Sequence, residues 1–493
     1  MPFVTGPLPQ RLKLVHGFGA VAFGVKDSGF SFFLLPFYNL VLGVDASTVG
    51  AALAAALVID ALVDPLIGHL SDRTYTKWGR RLPWLYLAPW PLALVWTMLW
   101  SPPFTGTPGF WDIVALAVGV RLLLSACEVP SVSLVPEITD DYDDRTTLFR
   151  YRFLSGWLGG LLMMVLTFTV FLPTPQSQLQ PEGYASYGLF GAALIALSVI
   201  GSAAAQHRIV AQLPERRPPP FSITGAFVEI FDAFREKAFV IFALGGLAAY
   251  VLQGMTFSIT QYVNLYVWQF SELAFQLYPA VLFLSVVLMF VIVGPLHRRW
   301  GKPKSAALGA LVGLAFYCSP YVFYLAGAWP TVGTTASTAL LYGFLVCANT
   351  ASVVAIISAT SMVAEIVEAF EERTGQRAEG TFYAGNWLVQ KCATGGGILL
   401  TSLIVQSIDL APGTPQAEVA PETVRQLVWL FMLAATVLAS IAAFWLARFP
   451  ISREQHEARV AARRGRPAPP APATPDPLDQ AVRADPDAHT ITP

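Results

Sequence analysis

Charge is scarce in this chain. Only 13% of its 493 residues are Asp, Glu, Lys or Arg, and 55% are hydrophobic. Soluble domains are nearer a quarter charged, so an ordinary water-soluble globular domain is excluded. The net charge of −1 excludes a basic nucleic-acid binder. The six histidines are scattered, and the four cysteines are Cys127, Cys318, Cys347 and Cys392. None of them forms a pair with disulfide or zinc-site character, and they read as small apolar packing residues. No glycine-rich nucleotide loop occurs. The sequence therefore offers no enzymatic constellation and no cofactor site. Met1 to Lys13 lacks the short apolar core and small-residue cleavage site of a signal peptide.

What the chain has in abundance is long apolar runs. A helix needs about 20 apolar residues to cross a bilayer. Twelve such runs occur, near 14–42, 47–70, 82–101, 110–136, 150–172, 185–205, 239–267, 275–296, 305–325, 335–364, 380–407 and 424–447. Runs 1, 4 and 11 carry charges. The loops at 43–46, 102–109, 173–184, 268–274, 326–334 and 408–423 contain no Lys or Arg. The loops on the other side hold Arg73, Lys77, Arg80, Arg81, Arg145, Arg208, Arg298, Arg299, Lys302 and Lys304, among others. By the positive-inside rule both termini are cytoplasmic and the number of spans is even. The expected protein is a multi-pass inner-membrane protein that works as a monomer.

Two carboxylates sit inside run 2: Asp60 and Asp64, one helical turn apart and so on one face. An ionised group at such depth costs about 2.5–3.5 kcal/mol on insertion scales. Something cationic is expected to bind there: Na⁺ held through oxygens, a proton, or a basic side chain. Lys26, Arg121, Lys391 and Arg425 are the basic residues that topology does not explain, and Arg425 can snorkel from the end of its span. Lys26 and Asp27 are adjacent, about 100° apart on a helix, and are not expected to form a self-contained pair. Arg121 and Glu128 share one face of run 4. Arg121 can neutralise Glu128 or the Asp60/Asp64 pair, or present its bidentate fork to an acidic substrate. Tyr250, Gln253, Gln261 and Asn264 in run 7 can line a cavity or join helices through hydrogen bonds.

The chain divides into residues 1–205, a linker at 206–238 with an amphipathic stretch, residues 239–451, and an Ala/Pro/Arg/Asp-rich tail at 452–493 that is expected to be disordered. The two halves share a signature. Trp78-Gly79-Arg80-Arg81-Leu82-Pro83 follows run 2, and Trp300-Gly301-Lys302-Pro303 follows run 8. A duplicated six-helix unit with a basic loop at the same place is the pattern of major facilitator transporters. The fold class is therefore an all-α membrane protein with the major facilitator fold, twelve transmembrane helices in two six-helix bundles.

Several motifs narrow this further. They are Asp60-Ala61-Leu62-Val63-Asp64-Pro65, Ser71-Asp72-Arg73, Val129 to Pro136, Arg145 to Arg152, and Glu371 to Lys391 with Thr374-Gly375, Glu379-Gly380 and Gln390-Lys391. Spread in order over most of the chain, they resemble the glycoside–pentoside–hexuronide:cation symporters, the melibiose permease family. The resemblance implies coupled uptake of a sugar, glycoside or uronide with H⁺ or Na⁺ as the coupling ion. It places the cation at Asp60 and Asp64, with Ser125 and Lys391 nearby. It places substrate at Asp27 beside Lys26, and at Glu128, Arg152 and Lys391. Trp387, one turn before Lys391, can serve as a stacking platform or as a core residue.

Three departures stand out. Val63 replaces a family asparagine between the two aspartates, which favours H⁺. Val132 replaces a sugar-stacking tryptophan, and Arg121 has no counterpart. Asp72, Arg73, Arg80 and Arg81, opposite the acidic residues at 137–144, are expected to form a cytoplasmic gate whose salt bridges break when the cavity opens inward. A lysolipid or amphiphile carrier of the same fold, with Arg121 on a headgroup phosphate, and a non-transporting membrane sensor are the alternatives. The expected partners are a small-molecule substrate and the lipid bilayer.

Overall fold

The computed structural model describes residues 3–4, 6–211, 232–375, 378–408 and 410–450, and residues up to Pro450 form one compact unit. The amphipathic stretch of the linker and the tail lie outside the described residues. Regular structure among the described residues is helical, apart from an isolated bridge between Thr76 and Gly79. The first six spans are α1 (Gln10–Val41), α2 (Ala46–Arg73), α3 (Leu82–Leu87 then Pro89–Trp100), α4 (Phe110–Ile138), α5 (Asp143–Phe171) and α6 (Pro181–Val210). The second six are α7 (Lys237–Val267), α8 and α9 within Glu272–Leu325, α10 (Thr335–Thr374), α11 (Glu379–Ser407) and α12 (Pro421–Leu446). Among the described residues, ten helices are long and apolar enough to cross a bilayer. Gly301 divides one of them and α3 is assembled from two pieces, so the described helices are consistent with the expected twelve segments. Large apolar side chains point outward, among them Trp90, Trp111, Phe153 and Phe290. That is the surface lipid requires, with backbone polar groups satisfied inside each helix.

The duplication seen in the loop signature extends into the backbone. Gly79 and Gly301, each following a tryptophan, both take positive φ, 87° and 74°. Only glycine adopts that conformation without strain. The far ends of α1 and α7 also match. Each ends in a wide turn, with Leu42 N donating to Phe37 O at 3.1 Å and Val44 N to Tyr38 O at 3.0 Å in one half. In the other, Trp268 N donates to Val263 O and Phe270 N to Asn264 O, both at 2.9 Å. Gly43 and Gln269 hold the equivalent positive-φ position, at 74° and 49°. The sequence does not announce this repeat, because a glycine stands opposite a glutamine.

Close approach between helices also recurs. In the first half, a Cβ on Gly24 of α1 would lie 1.7 Å from Gly156 O of α5. In the second, a Cβ on Gly397 of α11 would lie 2.2 Å from Val251 O of α7, and one on Gly254 would lie 2.4 Å from Thr394 O. Small residues at such crossings let backbones pack where no hydrophobic force drives association. These crossings hold α1 and α11, and with them the charges they carry, in fixed register. Gly24→Val is expected to abolish folding, whereas Gly294→Ala, whose Cβ meets nothing within 4 Å, should be neutral. The monodisperse fraction of detergent-extracted protein on size exclusion checks this, and a wild-type elution profile for Gly24→Val would contradict it.

Candidate functional site

Asp60 and Asp64 face the same way from the middle of α2, where Pro65 follows them inside the helix. Proline has no N–H, so the carbonyl of Ala61 loses its helical donor beside the two carboxylates. Asp60 is buried, at 4% exposure. Its Oδ2 accepts from Arg121 Nη1 of α4 at 3.3 Å and lies 2.9 Å from Lys391 Nζ of α11. Its Oδ1 accepts from Ser125 Oγ at 3.2 Å. Lys391 Nζ also donates to Asp64 Oδ2, while Asp64 Oδ1 is buried without a hydrogen-bond partner among the described residues. Arg121 is 6% exposed, and its guanidinium carbon lies 4.6 Å from the centroid of the Phe30 ring.

Two carboxylates, one ammonium and one guanidinium thus form a single neutral cluster. Unit charges 4 Å apart attract by about 4 kcal/mol at an effective dielectric of 20. Several kcal/mol per ion are lost on desolvation. Each charge therefore needs every contact it has.

The remaining sequence candidates divide into two groups. Glu128 and Arg152 line one narrow cavity, together with Phe23, Cys127, Ser131 and Ser202. Arg152 Nη1 donates to Ser131 Oγ at 2.6 Å. Glu128 has no cation within 4 Å among the described residues. All the lining residues belong to the first half. Next to this cavity the sequence reading missed a polar chain: His16 Nδ1 is 3.1 Å from Gln206 Oε1, and Gln206 Nε2 donates to Ser202 Oγ at 3.3 Å. Single polar residues at 16 and 206 in apolar runs were the available signal. Asn386, also missed, accepts from Tyr250 OH at 3.2 Å.

Four expectations need correction. Lys26 and Asp27 do pair, Nζ to Oδ1 at 3.7 Å, because the long lysine stem bends back across the Phe23 ring, 4.4 Å from its centroid. Arg121 is committed to Asp60 and Phe30 and does not line the cavity, so the substrate role does not fit it. Trp387 is 58% exposed and belongs to neither the ion cluster nor the cavity. Of the expected gate, the salt bridges of Asp72, Arg80 and Arg81 form but do not join the halves. Arg81 bridges Asp72 and Glu137, and Arg80 lies 3.4 Å from Glu137. These three pairs sit wholly within the first half, so moving the halves apart would not break them; Arg73 is the exposed last residue of α2.

Apart from the Lys391 ion pairs, the polar contacts that cross between the halves gather at the face without basic residues, and they are neutral. Tyr262 OH donates to Asn39 Oδ1 at 2.9 Å and Gly413 N to Leu40 O at 2.9 Å, while Tyr266 OH, donating to Thr414 O at 3.2 Å, braces the Gly413 loop from within the second half. Gln261 of α7 donates to Gln178 in the α5–α6 connection, placing it in this seal and not in a cavity.

Because Arg121 depends on Asp60, removing one partner should cost more than removing both. Asp60→Asn is expected to destabilise by about 3–5 kcal/mol, and adding Arg121→Met should recover most of that loss. Denaturant unfolding of the four members of this cycle in lipid discs checks it, and simple additivity would contradict the pairing.

Comparison with known proteins places this geometry in context. An uncharacterized symporter of Synechocystis sp. is 27% identical across 90% of this chain and 94% of its own length. An isoprimeverose transporter of Lactiplantibacillus pentosus is 30% identical over a stretch covering 32% of this chain and 33% of its own. Among solved structures, a bacterial homolog of the human lysosomal transporter Spinster, inward-facing and unoccupied, superposes with a TM-score of 0.64 at 14% identity. It covers 90% of this chain and 98% of its own, a likeness in fold. The MFS/sugar transport protein family matches residues 15–453. With an all-helical, lipid-facing architecture, a duplicated half and charge sequestered at mid-depth, the chain belongs to the MFS/sugar transport protein family.

Proposed function

We propose that this chain is a monomeric, non-enzymatic symporter of a bacterial inner membrane that couples a cation, H⁺ in preference to Na⁺, to uptake of a sugar or glycoside. The observation that carries the proposal is Lys391. It stands on α11 in the second half, yet both of its ionic partners, Asp60 and Asp64, stand on α2 in the first. Whatever neutralises Asp64 removes one of the two charges holding the halves together at mid-depth.

The charges of the candidate site balance. Asp27, Asp60, Asp64 and Glu128 face Lys26, Arg121, Arg152 and Lys391 within the spans. An arriving cation leaves this set one positive charge in excess. Lys391 then keeps Asp60 and regains donors for a hydroxyl oxygen of the substrate, beside a cavity where Glu128 accepts and Arg152 donates. Binding of cation and binding of sugar favour each other, as linkage requires. Val63 offers no oxygen between the aspartates, which supports the proton. The positive-inside asymmetry puts both termini in the cytoplasm and the neutral seal on the outer face. An amphiphile carrier needs Arg121 free for a headgroup phosphate, and Arg121 is committed to Asp60.

The test is uptake into vesicles of a panel of labelled pentosides, disaccharides and uronides under imposed H⁺ or Na⁺ gradients. The expected result is accumulation of a neutral sugar driven by the H⁺ gradient. Asp64→Asn should lower accumulation at least about tenfold while substrate counterflow persists, the pattern of lost coupling with retained binding. Gradient-driven accumulation that survives Asp60→Asn together with Asp64→Asn would sink the assignment.

A further inference from the structure

The cluster holds two resident cations of different mobility. Lys391 has a side chain 26% exposed on a flexible stem, and it divides its ammonium between two carboxylates on another helix. Arg121 has a side chain only 7% exposed, contacts a single carboxylate oxygen, and rests against the Phe30 ring. A guanidinium does not deprotonate in proteins, so Arg121 keeps its charge through every step of a transport cycle. One cation can leave; the other stays.

Around them lies an oxygen set suited to a hard cation: both carboxylates and the Ser125 hydroxyl. We propose that Arg121 is a tethered cation that occupies the alkali-ion position at Asp60, and that it is the residue which sets this site against Na⁺ and Li⁺. Two observations support this. Asp60 Oδ2 already meets two nitrogens, at 2.9 and 3.3 Å, and Asp60 Oδ1 meets the Ser125 hydroxyl at 3.2 Å. Neither oxygen is left to turn to a metal. An incoming alkali ion would also stand beside a fixed positive charge that cannot withdraw, since Phe30 closes one face of the guanidinium. The inference rests on the proposed role of the cluster as the coupling-ion site, and it adds the residue that chooses among ions.

Replacing Arg121 with a neutral side chain should therefore create an alkali site. In Arg121→Gln, Asp60 keeps Lys391 and Ser125 as partners, and the amide contributes one more oxygen. The experiment is thermal unfolding of the purified full-length protein in lipid discs, titrated with NaCl against choline chloride at equal ionic strength. The wild type and Arg121→Lys should melt identically in the two salts. Arg121→Gln and Arg121→Ala should show a saturable, Na⁺-specific rise in Tm of a few degrees, as a ligand bound only by the folded state gives. That rise should vanish when Asp60→Asn is added to Arg121→Gln. Neutral variants that fold only when prepared in NaCl would equally support the proposal.

A Na⁺-specific shift in the wild type would overturn it. So would neutral variants that fold without responding to Na⁺, or that fail to fold at every NaCl concentration. The readout is ion binding and not transport. If the vesicle experiment finds no coupling while Arg121→Gln gains Na⁺ binding, the symport reading falls and the selectivity role of Arg121 stands.

Discussion

A charge inside an apolar protein must be held by an opposite charge, and in this molecule that requirement fixes which helices touch. Asp60 and Asp64 cannot stay ionised at mid-depth alone, so Arg121 and Ser125 are brought to them from α4 and Lys391 from α11. The first two contacts are internal to one half of the molecule. The third crosses to the other half. Loss of Arg121 would remove the cation that holds Asp60 from within its own bundle, whereas loss of the Lys391 contact would loosen one bundle from the other. Stability of a half and freedom of movement between halves thus depend on different partners of the same two residues.

The rest of the architecture serves that cluster. Glycine crossings between α1 and α5, and between α7 and α11, set backbones close enough that charged side chains reach across without disturbing the apolar shell. On the face without basic residues, neutral hydrogen bonds such as Tyr262 to Asn39 join the halves. Neutral bonds of this kind contribute only about 0.6 kcal/mol each inside membrane proteins, so a seal made of them can open and reform readily. The ionic pairs at the basic face, Arg81 with Asp72 and Glu137, lie within one half and brace its loops. Apart from the Lys391 hold at mid-depth, the ionic pairs of the first half lie inside that body, and neutral bonds close the face without basic residues.

Much of this was legible in the residues. Apolar run length marked the apolar helices, and the carboxylate spacing at 60 and 64 marked one face of α2. The Trp-Gly signature pointed to the duplication, and the positive φ of Gly79 and Gly301 supplies its physical reason. Other features lay beyond a linear reading. Rotation of a helix about its axis decides whether Trp387 faces a site, and no spacing fixes it. Whether Lys26 turns toward Asp27 depends on the flexibility of its stem and on the Phe23 ring, not on the 100° between neighbours. The polar chain from His16 to Gln206 joins α1 to α6, and each residue alone looks like an ordinary buried polar group. The fate of Arg121 was open for the same reason: its partner is 61 residues away.

The central claim is that the Lys391 contact is the ionic hold between α2 and α11 and that neutralising Asp64 loosens it. The most direct measurement is the distance distribution between spin labels on these helices, at the exposed positions Leu70 and Trp387, by pulsed electron resonance in lipid discs. The account predicts a broader and longer distribution in Asp64→Asn than in the wild type, with a further shift when Lys391→Gln removes the remaining contact with Asp60. An Asp64→Asn distribution that superimposes on the wild type would contradict it.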